Sequence, residues 1–536
     1  METLQLDGAS LDLPDVVRVA RGALSLGLAP AARRRMEESR AWVVRAARGE
    51  VVDEGGAPLP VYGVNTGFGS LAHKRIGRED SRWLSWNLVQ SHAAGVGPVV
   101  PREVVRAMIL LRANALAKGA SGCRPVLVET LLRMLEEDVL PEVPSQGSCG
   151  SSGDLAPLAH LALAVFRSPE EGADGPSGHA WYRGERLPAA EAMARAGIPR
   201  LVPAHKEGLA MCNGGQLTAA FAVLACEDAV RILHAAEIAA AMSWEALRGV
   251  TRSLLPAVHA LRPYPGALAV IDDLGRLLEG SELTDSLPEK VQDAYSLRCT
   301  PEVLGAARDA MTYVRRQVRI EVNAATDNPL ILVDLDDPNK AVSAGLFHGE
   351  PVGVACDHLK LALCEVGAIA ERRLYRLTTG TLSGRLPPLL VRPDRPGLGL
   401  MVPQATAAAL VSESRSLAWP ASVDSIPTCE DQEDHVAMST TAARRAAQVV
   451  ENTRNVVAIE LLAAAHGLWW RQAEEGASRL GRGTAAALAR VEAAIGRGGL
   501  ETPSEDIARL AEIIADGSLV ADAEAAVGPL RGVDGG

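Results

Sequence analysis

The chain has 536 residues, 48% of them hydrophobic, with 54 basic and 66 acidic side chains and a net charge of −12. That composition supports a large buried core and excludes wholesale disorder. The acidic balance argues against a nucleic-acid or anionic-membrane partner, since both require a positive face. Eight scattered cysteines, with no CxxC pair, give neither a disulfide framework nor a zinc-ribbon spacing. The start, Met1-Glu2-Thr3-Leu4-Gln5-Leu6-Asp7, lacks a basic segment followed by an apolar one, so no secretory leader is expected. The most apolar long segment, Leu217 to Met242, carries Glu227, Asp228, Arg231, His234 and Glu237, too many charges for a membrane span. A reducing, cytoplasmic setting is expected.

In chain order, the first irregular segment is the loop Val61 to Gly69 (VYGVNTGFG). Apolar residues at three- and four-residue spacing then predict helices over Arg102 to Lys118 and Pro125 to Glu137. A Ser/Gly-rich loop, Ser145 to Asp154, precedes a helical pattern from Leu155 with Pro157 in its first turn. Ser168 to Gly184 has the Gly, Pro and acidic content of an exposed excursion. Further helices are predicted over Glu207 to Leu247, Pro301 to Ile320, Pro351 to Arg376 and Glu433 to His466, with a Pro/Gly-rich crossing from Gly384 to Gly399. From about Gly476 the chain reads as peripheral helix. The expected fold is mainly α: residues 1–205 form a smaller N-terminal domain carrying both glycine-rich loops, and residues 206–536 form a long-helix bundle with peripheral C-terminal helices.

The run Ser145 to His160, SQGSCGSSGDLAPLAH, allows two readings from its residues. In one, Asp154 or Ser152 caps the helix that follows. In the other, glycine lets backbone atoms approach closely, so that the Gly153 nitrogen closes a five-membered ring on the Ser151 carbonyl and dehydration of Ser152 leaves an exocyclic alkene, an electrophile made from the chain itself.

Gly147-Ser148-Cys149-Gly150-Ser151-Ser152-Gly153-Asp154-Leu155-Ala156-Pro157-Leu158-Ala159-His160 resembles the motif GSxGASGDLAPLxH of the ammonia-lyases and 2,3-aminomutases that carry 4-methylidene-imidazol-5-one (MIO). Ser151 stands where alanine is usual, and only its backbone would enter the ring. The resemblance runs from about Leu11 to Leu468. Val61 to Gly69 matches the family's tyrosine loop, and Asn213-Gly214-Gly215-Gln216 its NGTQ site with Gly215 replacing threonine. Gln292 to Cys299 matches QDxYSLRC, Phe347-His348-Gly349-Glu350-Pro351 matches FHxEP with Leu346 in place of asparagine, and Gln432 to Val436 resembles QEDHV. The chain has only six tyrosines and four phenylalanines, yet Tyr62, Phe68, Tyr295 and Phe347 all fall in these loops.

The resemblance implies an ammonia-lyase/fumarase-like fold and MIO formed autocatalytically from Ser151, Ser152 and Gly153. It implies that the substrate amine meets the carbon derived from Ser152 while Tyr62 removes the β-proton as general base. A neutral phenol is a weak base at neutral pH, so a lowered pKa is expected for Tyr62. Arg298 is the expected clamp on the substrate carboxylate, with Tyr295 and Gln292 orienting it, and Asn213 the expected donor to substrate or prosthetic carbonyl. His92, in LVQSHAAGVG, and Glu413, in LVSESRSLAWPASVDS, match positions of the histidine lyases; Phe347 lines the pocket. The implied reaction takes L-histidine to trans-urocanate and ammonia. The alternative is a tyrosine or phenylalanine lyase or 2,3-aminomutase, towards which Ser151, Gly215 and Leu346 point as departures from the motifs. A homotetramer is implied, with active sites shared between subunits. No metal site is expected, since His348, Glu350, Asp357 and His358 have no recognised ligand spacing, and neither a P-loop nor a dinucleotide fingerprint occurs.

Overall fold

The computed structural model describes residues 3–534 except 23, 70–71, 78–79, 171, 392–396, 475, 477 and 499–501. The chain is mainly helical, with a few short strands. The centre of the expected Gly384–Gly399 crossing, 392–396, lies outside the described residues.

Two compact units are present, and each gathers separate stretches of sequence. The first comprises Met1–Leu224, Arg316–Cys356 and Pro420–Arg444; the second comprises Ala225–Arg315, Asp357–Trp419 and Arg445–Gly536. Four of the five divisions fall inside long helices and the fifth, after Trp419, follows the helix Met401–Leu417, where the linear pattern had suggested one cut after residue 205.

The first unit is organised by the helix Arg102–Ala117, buried at nearly every position from Val104 onwards. Burial of its polar residues is tolerated because each is answered. Arg112 donates to Gln216 Oε1 at 2.7 Å, and Asn114 accepts from Gly8 N at 3.0 Å and donates to Val322 O at 2.9 Å. A Lys206–Asp327 pair at 2.7 Å is likewise buried. The helices Pro125–Glu136 and Leu155–Val165 add apolar faces. Small sheets close the rim: Thr3–Leu6 runs parallel to Ser25–Leu28, Val96–Val99 lies antiparallel to Pro144–Gln146, and Leu140–Pro141, His179–Tyr182 and Glu185–Pro188 form a three-stranded sheet. The predicted excursion Ser168–Gly184 therefore ends in a strand.

The second unit is helical. Glu460 lies at its centre, where Arg373 Nε and Nη2 bond the two carboxylate oxygens at 2.5 and 2.8 Å and Ser243 Oγ adds a third bond at 2.8 Å. The C-terminal residues form three helices, Arg482–Ile495, Pro503–Ala515 and Ser518–Val527, which bury Leu488, Leu510, Ile514 and Leu519.

Two predicted helices have different limits. Glu207–Leu247 is two helices, Glu207–Cys212 and Gln216–Ala246, because Asn213-Gly214-Gly215 leaves helical geometry, with Asn213 at φ −89° and ψ 102°. The helix expected from Glu433 begins at Ser439 and runs to Glu474. Before it, Cys429, Glu430 and Asp431 all have positive φ (54°, 53° and 62°), and the bonds Thr428 N to Glu433 O (3.0 Å) and Glu433 N to Thr428 O (3.3 Å) pinch the chain into a closed loop. Three consecutive non-glycine residues in the left-handed region are strained, and such strain concentrates at functional loops.

Candidate active site

The loop carrying Tyr62 is set by its own polar residues. Asn65 accepts from Val61 N at 2.7 Å and donates to Leu59 O at 2.9 Å, while Thr66 Oγ1 accepts from Gly63 N at 3.3 Å. Gly63 has φ +65°, and a Cβ there would lie 2.7 Å from Leu209 Cδ2 and 2.8 Å from a Phe68 ring carbon. Glycine therefore allows Phe68 to stand edge-on to Tyr62, with ring centroids 6.0 Å apart.

The Ser/Gly loop is tied down from behind by Asp154, which is fully buried. Its carboxylate accepts from Ser148 Oγ (2.7 Å), Thr218 N (2.8 Å), Thr218 Oγ1 (3.0 Å) and Thr440 Oγ1 (2.6 Å). Asp154 occupies the N-cap position of the Leu155–Val165 helix, but neither it nor Ser152 caps the helix with a side chain. The capping reading is thus corrected: the carboxylate turns away to join three segments. Asp154 N donates to Gly214 O at 2.7 Å, and Gly153 pairs with Gly214 as a parallel bridge. Gly153 has φ +75°, and a Cβ there would lie 2.4 Å from the Gly214 carbonyl. Only glycine fits this position.

The residues needed for the prosthetic ring are accordingly held in place by this fold. Asn213 Nδ2 donates to the Ser152 carbonyl at 2.5 Å, so the break in the helix and the donor role belong to one residue. The hydroxyls of Ser152 and Ser151 donate to Glu433, at 2.5 Å to Oε1 and 2.8 Å to Oε2. Thr428 Oγ1 adds a bond of 2.7 Å to Oε2. This chain therefore presents a glycine-enabled backbone crossing, a donor on the central carbonyl and an acceptor on the hydroxyl that must leave.

A cavity of about 800 Å³ opens above these groups, and Tyr62, His92, Ser152, Asn213, Phe347 and Glu433 are among the residues lining it. Six expected site residues (Tyr62, His92, Ser151, Ser152, Asn213 and Phe347) meet there. Among the described lining residues none is lysine or arginine.

Burial, aided by the charges of Cys429 and Glu433, pushes the Tyr62 phenol above its ordinary value. The Gly69 amide, 2.9 Å from the phenolic oxygen, acts in the opposite direction and is outweighed. The expected lowering is therefore reversed within this chain, because burial dominates, the charges of Cys429 and Glu433 add to it, and no lysine or arginine is among the described residues lining the cavity. Burial also pushes His92 below its usual value, so its ring is neutral at neutral pH. Its Nδ1 lies 3.0 Å from Ser91 Oγ. For Glu433, burial pushes upward, but the hydroxyls of Ser152, Thr428 and Ser151 and the nearby His92 hold the carboxyl below its ordinary range.

Gly153 belongs to the same loop as Ser152, whereas Tyr295, Arg298, Gln292 and Glu413 lie in the second unit and are not among the residues lining this cavity. Tyr295 and Arg298 begin and end a one-turn helix, with the guanidinium carbon 4.8 Å from the Tyr295 ring centroid. Tyr295 is 70% exposed, and the buried Arg298 Nε has no hydrogen-bond partner among the described residues. Gln292 is exposed. Glu413 is an exposed residue of the helix Met401–Leu417 and accepts from Asn452 Nδ2 at 3.2 Å. Two carboxylates, Glu433 and Asp434, line the cavity, and it is Glu433 that meets the hydroxyls of Ser151 and Ser152. The QEDHV segment carried the signal for it, but the predicted helix had absorbed Glu433. Of the three departures from the motifs, Ser151 lines the cavity, whereas Gly215 and the exposed Leu346 do not.

Comparison with known proteins places this geometry. A family model described as aromatic amino acid lyase matches residues 11–493. The chain is 45% identical over 533 residues to a histidine ammonia-lyase of Symbiobacterium thermophilum, covering 99% of this chain and all (100%) of that protein. It is 50% identical over 473 residues to a histidine ammonia-lyase of Anaeromyxobacter sp. (strain K), covering 87% of this chain and 90% of the relative. Among solved structures, it resembles histidine ammonia-lyase from Trypanosoma cruzi with a TM-score of 0.87 at 34% identity, covering 98% of this chain and 96% of the other. It is similar to tyrosine aminomutase from Streptomyces globisporus to the same TM-score of 0.87 at 31% identity, covering 99% and 100%.

Proposed function

Because the chain belongs to the aromatic amino acid lyase family, and is thus a carbon–nitrogen lyase, we propose that it is a histidine ammonia-lyase, converting L-histidine to trans-urocanate and ammonia. The observation that carries the substrate choice is the polar end of the cavity. His92 and the anionic Glu433 both line it beside the Ser151–Ser152–Gly153 loop, and an ionised carboxylate is the natural acceptor for an imidazole N–H. A purely hydrocarbon ring would offer no donor to Oε1 of that carboxylate once the Ser152 hydroxyl is gone, a costly mismatch in a half-buried site.

Ser151, Ser152 and Gly153 are the residues that form MIO. When present, this group supplies the electrophilic carbon that makes the amine a viable leaving group. Asn213 stabilises negative charge on the Ser152 carbonyl oxygen through the bond it already makes. Tyr62 accepts the β-proton. The electron pair of the broken Cβ–H bond becomes the new Cα=Cβ bond as the Cα–N pair departs with nitrogen. The raised pKa of the unliganded phenol means that the positive charge of bound substrate must offset burial, and with it the charges of Cys429 and Glu433, before Tyr62 acts as a base. Phe347 and Phe68 wall the ring side of the cavity and keep water from it.

The substrate carboxylate meets no lysine or arginine among the described residues lining this cavity, so the site is completed by Arg298, Tyr295 and Gln292 of a neighbouring copy in a homotetramer. The exposure of Tyr295 (70%) and of Val291 (91%) supports this, since a bare apolar rim around an arginine is surface that assembly covers. Among the described residues no helix is long and apolar enough to cross a membrane, and a cytoplasmic catabolic enzyme is the reading we adopt.

Side-by-side incubation with L-histidine and L-tyrosine, with products identified by mass spectrometry, tests the proposal. Urocanate from histidine alone is expected; coumarate or β-tyrosine in its place would overturn it. Light scattering on the eluting protein is expected to give a tetramer mass.

A further inference from the structure

Three hydroxyls converge on Glu433, and they divide unevenly between its oxygens. Oε1 accepts from Ser152 at 2.5 Å, whereas Oε2 accepts from both Ser151 at 2.8 Å and Thr428 at 2.7 Å. Formation of the ring removes one of the three. The Gly153 nitrogen bonds to the Ser151 carbonyl carbon, whose oxygen leaves as water with the amide protons of Ser152 and Gly153. The Ser152 hydroxyl then leaves as a second water with the Ser152 Cα proton. Only backbone atoms of Ser151 take part, so its hydroxyl survives.

We propose that Ser151 is a positioning residue whose hydroxyl, with that of Thr428, pins Oε2 of Glu433, so that departure of the Ser152 hydroxyl leaves Oε1 alone open to the substrate. The inference rests on the reading of this cavity as a histidine site. A glutamate carboxylate turns easily about its last torsion, and one donor would leave either oxygen free to face the substrate. Two donors on one oxygen fix the direction of the other. Ser151 suits the task because it is 6% exposed and cannot swing into solvent. The family motif has alanine here, so this anchor belongs to the chain's own variation.

The hydroxyl also bears on ionisation. Against burial, the three hydroxyl bonds keep the Glu433 carboxyl low, and His92 helps. Tyr62 and Cys149 also feel its charge, and Cys429, Asp434, His348 and His435 line the same cavity. Loss of one donor raises the Glu433 pKa while these neighbours stay in place.

Ser151→Ala, Ser151→Thr and Glu433→Gln decide the matter. Intact mass is expected to be two waters below the sequence mass in all three. Per matured subunit, Ser151→Ala is expected to lose about tenfold in kcat/KM for L-histidine, the worth of one hydrogen bond to a charged group. The acid limb of its pH profile should rise by about half a unit or more. Ser151→Thr should restore both. A second measurement needs no turnover: infrared titration of Glu433 in the Ser152→Ala precursor, with Glu433→Gln as the blank, should show a higher pKa when Ser151→Ala is added. Unchanged kcat/KM, acid limb and infrared titration in Ser151→Ala would overturn the proposal, and so would failure of that variant to lose the two waters. If the wild type carries the mass deficit yet ignores L-histidine, the functional reading fails instead, and the infrared shift alone then supports or sinks the anchoring role.

Discussion

Replacing Glu433 by glutamine removes the charge of the cavity carboxylate and almost nothing else. Serine and threonine hydroxyls both donate and accept, so Ser151 and Thr428, which keep their hydroxyls after ring formation, can satisfy an amide in the same place. The pinched loop from Thr428 to Glu433 is closed by backbone bonds and should persist. The loss is therefore that of a charge-assisted bond to the substrate, about 1.5–3 kcal/mol, or roughly ten- to a hundredfold in kcat/KM. A second effect has a fixed sign. Glu433 is one of the charges holding the Tyr62 phenol above its ordinary pKa, and the phenolate is the basic form. Without the neighbouring anion the phenolate is easier to form, so the alkaline rise of activity must begin at lower pH. The assay is kcat/KM for L-histidine across pH, with intact mass confirming the loss of two waters. A matured Glu433→Gln enzyme with wild-type kcat/KM, or with its rise displaced to higher pH, refutes the reasoning.

Tyr62→Phe keeps the ring against Phe68 and removes the proton acceptor; turnover should fall by at least about a hundredfold while mass spectrometry still shows two waters lost. Near-normal turnover would remove Tyr62 from its role. Glu321 lies with Oε1 3.4 Å from where a Gly215 Cβ would be. Burial and the charge of Asp154 push it up to about 7 from an ordinary 4.5. Below pH 4.5 both folded and unfolded forms are protonated and the group is neutral in the balance. Between the two values the folded form holds an extra proton, so stability falls as pH rises, and the full penalty stands above pH 7. Glu321→Gln should therefore raise the melting temperature at pH 8, by the equivalent of about 2 kcal/mol, and do little near pH 5. An equal effect at both values would contradict this account.

The site was legible in sequence wherever chemistry depends on contiguous residues. Ring closure needs a serine followed by glycine on a backbone free of side-chain obstruction, and the run around Ser152 announces that locally. The positive φ of Gly63 and Gly153 is likewise a short-range property, whereas the break at Asn213 interrupts what periodicity alone had predicted as one helix from Glu207 to Leu247. The choice between Glu413 and Glu433 was different in kind. Both sit in helix-like, motif-like surroundings, and nothing local says which faces Ser152, a contact made across 281 positions.

Sequence alone thus determined the family and the helical class, because each is written in composition, periodicity or an unbroken motif, and it named the three residues proposed to become the electrophile. Tertiary structure decided which carboxylate meets the two serines and how Asp154 is spent. It also decided in which direction Tyr62 titrates and that no cation among the described lining residues reaches this cavity. Those outcomes depend on burial and on distances between segments far apart in the chain, and an electrostatic environment is a sum over neighbours that only the folded protein brings together.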